Sequence, residues 1–208
     1  MQIGLGPIVV CGASNFPLAF STAGGDTASA LAAGCPVIIK AHPYHEKTST
    51  LVFGAITKAI QAVGAPKHLV QHLVGLNFDN VKELVIHPFV KGVAFTGSFE
   101  GGTAIYKYAV ERQDPIPVFC EMGSTNPMVF LGDGLASSYE DQAKSIAGAI
   151  TMGAGQFCTN PGLIFGVKSP LFDHFVEVLR SEIQAIPDAK MLHGGIRNNY
   201  LKKLEISL

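Results

Sequence analysis

Ile8-Val9-Val10-Cys11-Gly12-Ala13-Ser14-Asn15-Phe16-Pro17 begins a unit that closes on Val37-Ile38-Ile39-Lys40. Two short apolar runs, both β-branched, flank a stretch rich in small residues. That is the pattern of strand, crossover, strand. The first strand is read from Ile3 to Cys11. Pro17 suits the first turn of a helix and Asn15 lies just ahead of it, so a helix is expected from Pro17 to Ala33. Ala28, Ala30, Ala32 and Ala33 suit close packing on a sheet, and Gly34-Cys35-Pro36 ends the helix. Strands joined by a crossover of this length run parallel.

The same alternation continues along the chain. A helix is expected from Lys47 to Val63, with Leu51, Ile56, Ala59, Ile60 and Val63 broadly on one face. A short strand falls within His68–Leu73 and a helix within Asn77–Ile86. Strand Val93–Thr96, helix Phe99–Arg112 and strand Val118–Cys120 follow. Beyond a turn at Glu121-Met122-Gly123-Ser124 come strand Pro127–Leu131, helix Ser138–Met152, strand Leu163–Val167 and helix Leu171–Ile186. Pro187 to Leu208 shows no clear period. The fold class is α/β, a Rossmann-like parallel sheet flanked by helices, followed by the start of a second α/β domain. The boundary is placed near Gly123, giving domains 1–123 and 124–208.

Composition narrows the function. The formal net charge is -1 and only 15% of the residues are charged, so no basic footprint points to nucleic acid or an anionic membrane. No apolar run reaches the roughly 18 residues that span a bilayer. Met1-Gln2-Ile3-Gly4 has no basic stretch leading into an apolar one, so no signal peptide is read. Cys11, Cys35, Cys120 and Cys158 form no CxxC pair, and the 7 histidines make no zinc spacing. Reduced thiols in a cytoplasmic protein are expected, with no metal site.

Polar residues collect where strands end. In a parallel sheet the ligand crevice lies at the carboxyl ends of the strands. Asn15, Lys40, Thr96-Gly97-Ser98 and Glu121 each follow a separate strand there. Asn15 reads either as an oxyanion donor or as a helix cap. Lys40, ending a buried strand, reads as a ligand for a cofactor ribose or phosphate, or as a surface ion pair. Gly97-Ser98-Phe99-Glu100-Gly101-Gly102 reads as a phosphate-binding helix start or a plain cap, without the GxGxxG fingerprint. Glu121 reads as a general base or a structural carboxylate. Cys158, in Gly155-Gln156-Phe157-Cys158-Thr159-Asn160-Pro161-Gly162, sits at a tight joint where a thiol can be presented with a free backbone N–H. It reads as a nucleophile or as an ordinary buried cysteine.

Five stretches in order resemble the aldehyde dehydrogenase superfamily. They are Ser14-Asn15-Phe16-Pro17, Leu31-Ala32-Ala33-Gly34 with Lys40, Phe95-Thr96-Gly97-Ser98, Glu121-Met122-Gly123 and Gly155-Gln156-Phe157-Cys158. The variants Ala23-Gly24-Gly25-Asp26-Thr27-Ala28-Ser29-Ala30 and Lys40-Ala41-His42-Pro43 look most like the branch that oxidises 2,5-dioxovalerate (α-ketoglutaric semialdehyde). Enzymes acting on long-chain fatty aldehydes are similar.

The resemblance implies that 1–123 belongs to an NAD(P)-binding domain and 124–208 to a catalytic domain. It implies Cys158 as nucleophile, Asn15 and the Cys158 N–H as oxyanion donors, and Glu121 as the base that activates water. Lys40, His42, Thr96, Gly97, Ser98 and Gly102 would then face NADP or NAD. Many NAD-preferring members carry a glutamate three residues after the strand-end lysine. Here that place is Pro43, preceded by His42, so use of NADP is expected. The resemblance also implies a small aldehyde as substrate and a homo-oligomeric parent of about twice this length or more. The chain is then expected to be a fragment, inactive alone. The alternatives are a coenzyme-A-acylating dehydrogenase, a dehydrogenase of a fatty aldehyde or another semialdehyde, and a non-catalytic nucleotide-binding fragment.

Overall fold

A computed structural model describes residues 3–75, 77–135 and 138–207. They form two compact units, Met1–Gly123 and Ser124–Leu208. Leu208, where the sequence reading of the tail ends, lies outside the described residues.

The first unit is built on strands β1 (Ile8–Cys11), β2 (Val37–Lys40), β3 (Val70–Leu73), β4 (Gly92–Thr96) and β5 (Val118–Glu121). All pair parallel, in the order β3-β2-β1-β4-β5. Helices α1 (Gly25–Ala32), α2 (Glu46–Ala62), α3 (Phe78–Ile86) and α4 (Phe99–Val110) make the crossovers. The inner strands β1, β2 and β4 are largely apolar because both sheet faces are covered there. Alternate residues of β1 divide between them. Ile8 and Val10 join Val37, Ile39, Val70 and Ala94 in one core, against Ala30 and Leu31 of α1 and Phe53 of α2. Val9 and Cys11 join Val85, Val93, Ile105 and Ala109 in the other, beside α3 and α4. The crossovers change direction at β1, whose neighbours are β2 and β4.

The structure corrects the start of α1. The helix begins at Gly25 rather than Pro17, and residues 17–24 form successive turns and bends. The cause lies in close backbone contacts. The Ala13 N–H donates to the Phe20 carbonyl at 2.7 Å, and the Gly24 N–H to that of Ser21 at 2.9 Å. A Cβ on Gly24 would lie 2.5 Å from the Ala19 carbonyl oxygen. Thr22 is fully buried, and its hydroxyl meets Ser49 Oγ at 2.5 Å. This segment packs as a loop, so Asn15 does not cap a helix at Pro17. β1 is also shorter than expected, starting at Ile8.

The second unit holds a two-stranded parallel sheet, β6 (Pro127–Phe130) with β7 (Leu163–Gly166). Helices α5 (Gly132–Leu135), α6 (Tyr139–Thr151), α7 (Pro170–Ala185) and α8 (Gly194–Ser207) complete it. Ala143, Ile146 and Ala147 of α6 pack on Phe175 and Leu179 of α7. Ser169 caps α7, accepting from the Phe172 N–H at 3.2 Å, with Pro170 behind it. α8 carries no apolar stripe. Gly194, Gly195, Asn198 and Asn199 interrupt any helical period, which is why the sequence shows no element there. Among the described residues no helix is long and apolar enough to cross a membrane.

Candidate functional site

In the first unit, parallel pairing brings the carboxyl ends of β1, β2, β4 and β5 to one edge. Cys11 lies opposite Lys40 on one side and Phe95 on the other, and Thr96 lies opposite Glu121. Asn15 follows β1 at this edge, half-buried. Lys40 is the last residue of β2, half-buried, and makes no salt bridge among the described residues. The surface ion-pair reading of Lys40 therefore finds no partner there. His42 begins a short 3-10 turn, Pro43–His45, where its Nδ1 accepts from the Tyr44 N–H at 3.2 Å.

The glycine-rich turn after β4 is a capped helix start. The Ser98 hydroxyl accepts from the Gly101 N–H at 3.1 Å, and the Gly102 N–H donates to the Ser98 carbonyl at 3.0 Å. The Gly97 N–H donates to the Glu121 carbonyl at 3.0 Å, which joins this turn to the end of β5. Gly97 and Gly102 leave no room for side chains. A Cβ would come within 2.6 Å of the Phe95 ring at Gly97 and 2.4 Å of the Met122 sulfur at Gly102. Glu121 ends β5 with its side chain exposed.

Asp26, quoted above only within a stretch that resembles one branch and not as a site residue, lies in the first turn of α1. Its Oδ2 accepts from the Thr96 hydroxyl at 3.2 Å. Burial pushes its carboxyl above the usual range and the nearby Glu121 carboxylate adds to this, while the Thr96 hydrogen bond opposes both. Beneath it, burial pushes the Cys11 thiol up to about 11 despite the pull of Lys40. A thiol held that high stays protonated at neutral pH.

In the second unit, Cys158 lies in the turn between a 3-10 segment, Met152–Gly155, and β7. The approach is sharply wound, with Gly153, Ala154 and Gly155 all at positive φ of 62°, 57° and 71°. Side-chain amides then fix the turn. Asn160 Nδ2 donates to the carbonyls of Ile150 and Met152, each at 3.0 Å. Asn126 Nδ2 donates to the carbonyls of Cys158 at 2.7 Å and Asn160 at 2.9 Å, and the Ser124 hydroxyl also donates to the Cys158 carbonyl. The Cys158 carbonyl is thus committed, whereas its N–H donates to no acceptor among the described residues. The thiol is half-buried.

Asn126 was not singled out from sequence. The visible signal is Asn126-Pro127, a turn dipeptide leading into β6.

The donor set fits a dinucleotide. A strand-end ammonium and a helix N-terminus on one edge, at the point where the crossovers reverse, suit a diphosphate and its ribose. Among the described residues no group of three or more His, Cys, Asp or Glu could hold a metal ion.

The model of the aldehyde dehydrogenase family matches residues 2–193. The chain belongs to the aldehyde dehydrogenase family. It is 49% identical over 199 residues to alpha-ketoglutaric semialdehyde dehydrogenase 2 of Azospirillum brasilense, covering 96% of this chain and 38% of that protein. It is 45% identical over 207 residues to alpha-ketoglutaric semialdehyde dehydrogenase of Acinetobacter baylyi, covering 100% and 39%. The chain therefore spans well under half the length of these curated relatives. Among solved structures, proline utilization A of Bradyrhizobium japonicum superposes with a TM-score of 0.80 at 21% identity, over 98% of this chain and 21% of that one. An NAD-dependent benzaldehyde dehydrogenase from Corynebacterium glutamicum gives 0.75 at 22% identity, over 98% and 44%. At these identities the structures speak for the fold alone.

Proposed function

We propose that this chain supplies the nucleophile and most of the dinucleotide contacts of an aldehyde dehydrogenase that oxidises 2,5-dioxovalerate to 2-oxoglutarate. The observation that carries the reading is the Cys158 turn. Its carbonyl is held by Ser124 and Asn126, while its N–H has no acceptor among the described residues. A cysteine presented in this way combines a nucleophilic sulfur with an oxyanion donor on the same residue. The 49% and 45% identity to two dehydrogenases of α-ketoglutaric semialdehyde supports the substrate.

In this reading Cys158 adds as a thiolate to the aldehyde carbon and forms a thiohemiacetal. The Cys158 N–H and the Asn15 amide bind the oxyanion. Bound NAD(P)+ supplies the acceptor for the hydride that leaves the same carbon. The product on the sulfur is a thioester. Glu121 takes a proton from water, the resulting hydroxide displaces the sulfur, and the acid departs with the thiol restored. Lys40 holds the adenosine ribose or its 2′-phosphate, and the α4 start at Gly97, Ser98 and Gly102 faces the diphosphate. Units 1–123 and 124–208 are then the cofactor-binding and nucleophile-bearing parts.

NADP is the expected cofactor. The position three residues after Lys40 is Pro43, so no carboxylate there repels a 2′-phosphate. The next acid, Glu46, is engaged, its Oε1 accepting from the Gly75 N–H at 2.8 Å.

The test is an assay of the full-length protein with 2,5-dioxovalerate and either cofactor, following reduced cofactor and 2-oxoglutarate together. Equal amounts of both, with NADP supporting turnover, are expected. Reduction of cofactor without acid, or only when coenzyme A is added, contradicts the hydrolytic reading. Strict use of NAD contradicts the cofactor assignment.

A further inference from the structure

We propose that Asp26 is a specificity-determining residue for the redox state of the cofactor. Its carboxylate, held at the β4 end by Thr96, favours the oxidised dinucleotide, whose nicotinamide ring is cationic, over the neutral reduced ring. The proposal rests on the reading above, in which the nicotinamide meets the reacting carbon near Glu121.

The geometry isolates the charge at this edge. Asp26 is half-buried in the first turn of α1, whose N-cap, Gly24, offers no side chain. The helix N-terminus and the Thr96 hydroxyl are what hold the anion there. Among the described residues Asp26 has no salt bridge. Thr96 is itself buried and sits in register with Glu121, so a second carboxylate lies on the neighbouring strand. The other titratable groups that bear on the cluster are Cys11 of β1, which burial keeps protonated, Cys120 of β5, whose thiol burial also pushes up, and Lys40 at the end of β2.

Such an arrangement costs stability. A carboxylate partly removed from water beside another carboxylate is disfavoured, and the α1 N-terminus and Thr96 offset that cost; the Thr96 contact itself does not need the charge, because an amide would accept from it equally well. A half-buried carboxylate with no ion-pair partner among the described residues, set at a ligand edge, is placed to act on the charge of the ligand. A cation entering this edge gains from both carboxylates. Loss of its charge on reduction removes that gain, so the reduced cofactor is released more readily than the oxidised one is lost.

The experiment is calorimetric titration of the full-length protein and its variants with NADP+ and with NADPH, aldehyde omitted. D26N keeps the acceptor for Thr96 and removes the charge. It is expected to weaken NADP+ about fivefold, the scale of one screened unit charge at close range, and to leave NADPH unchanged. D26E, which keeps the charge, and T96V, which keeps the charge and loses the hydrogen bond, are expected to preserve the wild-type ratio. Equal weakening of both forms in D26N overturns the proposal, and so does a T96V that reproduces the D26N ratio, because Asp26 would then act only through Thr96. A wild-type protein that binds neither form brings down the dinucleotide reading itself, and this inference with it.

Discussion

Asn126 clamps Cys158 by its backbone. One side-chain amide donates to the Cys158 carbonyl at 2.7 Å and to the Asn160 carbonyl at 2.9 Å. Asn126 also stands at φ 39°, a left-handed position that asparagine tolerates better than most residues. The turn that presents the thiol is thus fixed from a residue at the entry to β6, more than thirty positions earlier in the chain.

Asn126→Ala should therefore loosen the nucleophile as well as the fold. It leaves two partly buried carbonyls without that donor, at a cost of about 1–3 kcal/mol. Asn126→Gly keeps the backbone freedom and loses only the amide, so it isolates the clamp. Denaturant unfolding and the rate of Cys158 alkylation by iodoacetamide measure the two effects. A variant as stable as wild type, with an unchanged alkylation rate, contradicts the clamp.

The thiols should separate by burial. Cys11 and Cys35 are buried, and burial pushes Cys11 up to about 11, whereas Cys158 is half-buried. Iodoacetamide at neutral pH is expected to label Cys158 ahead of both, as read by peptide mass spectrometry. Labelling of Cys11 or Cys35 before Cys158 in the native protein contradicts this order.

Much of this architecture was legible in the residues. The apolar runs at Ile8, Val37 and Val93 marked their strands because buried parallel strands have little other composition to choose from. The helix expected from Pro17 was not there. Proline and asparagine spacing cannot reveal that Thr22 is buried against Ser49 of α2 and that the backbone at Gly24 touches Ala19. α8 was missed for the opposite reason, since it has no apolar face to betray it. Of the site elements, Lys40, Thr96, Ser98, Glu121 and Cys158 were visible as polar residues at strand ends or tight turns. Asp26 and Asn126 were not, because each gains its meaning from a partner 70 or 32 positions away.

A buried hydroxyl chain should make stability fall with acid. Thr22 Oγ1 meets Ser49 Oγ at 2.5 Å, and Ser49 Oγ meets His72 Nε2 at 2.7 Å. Burial holds the His72 pKa below its ordinary 6.5, with Glu46 opposing. The folded state then binds fewer protons than the unfolded chain. Stability is retained above the unfolded value and lost as pH falls through it toward the lower folded value. Urea midpoints across this range should drop more steeply in wild type than in His72→Gln. Ser49→Ala, which strands the Thr22 hydroxyl, should cost about 1–3 kcal/mol at neutral pH. Parallel pH profiles in wild type and His72→Gln would contradict the role given to His72.

Gly12 sets the loop that carries Asn15. A Cβ there would lie 2.6 Å from Ser21 Cα and 3.0 Å from the Phe20 carbonyl oxygen, both backbone atoms that cannot turn aside. Gly12→Ala should lose about 1–3 kcal/mol by overpacking and displace residues 13–21. Thermal unfolding measures the first. An unchanged midpoint contradicts the contact.

In the proposed reaction Cys158 carries the acyl group and Glu121 activates the water that removes it. Mixing the full-length Glu121→Gln protein with NADP+ and 2,5-dioxovalerate tests both at once. One equivalent of reduced cofactor per site, no steady turnover, and retention of the acyl mass on the peptide containing Cys158 are expected. Sustained turnover in this variant, or an acyl adduct on any other residue, contradicts it.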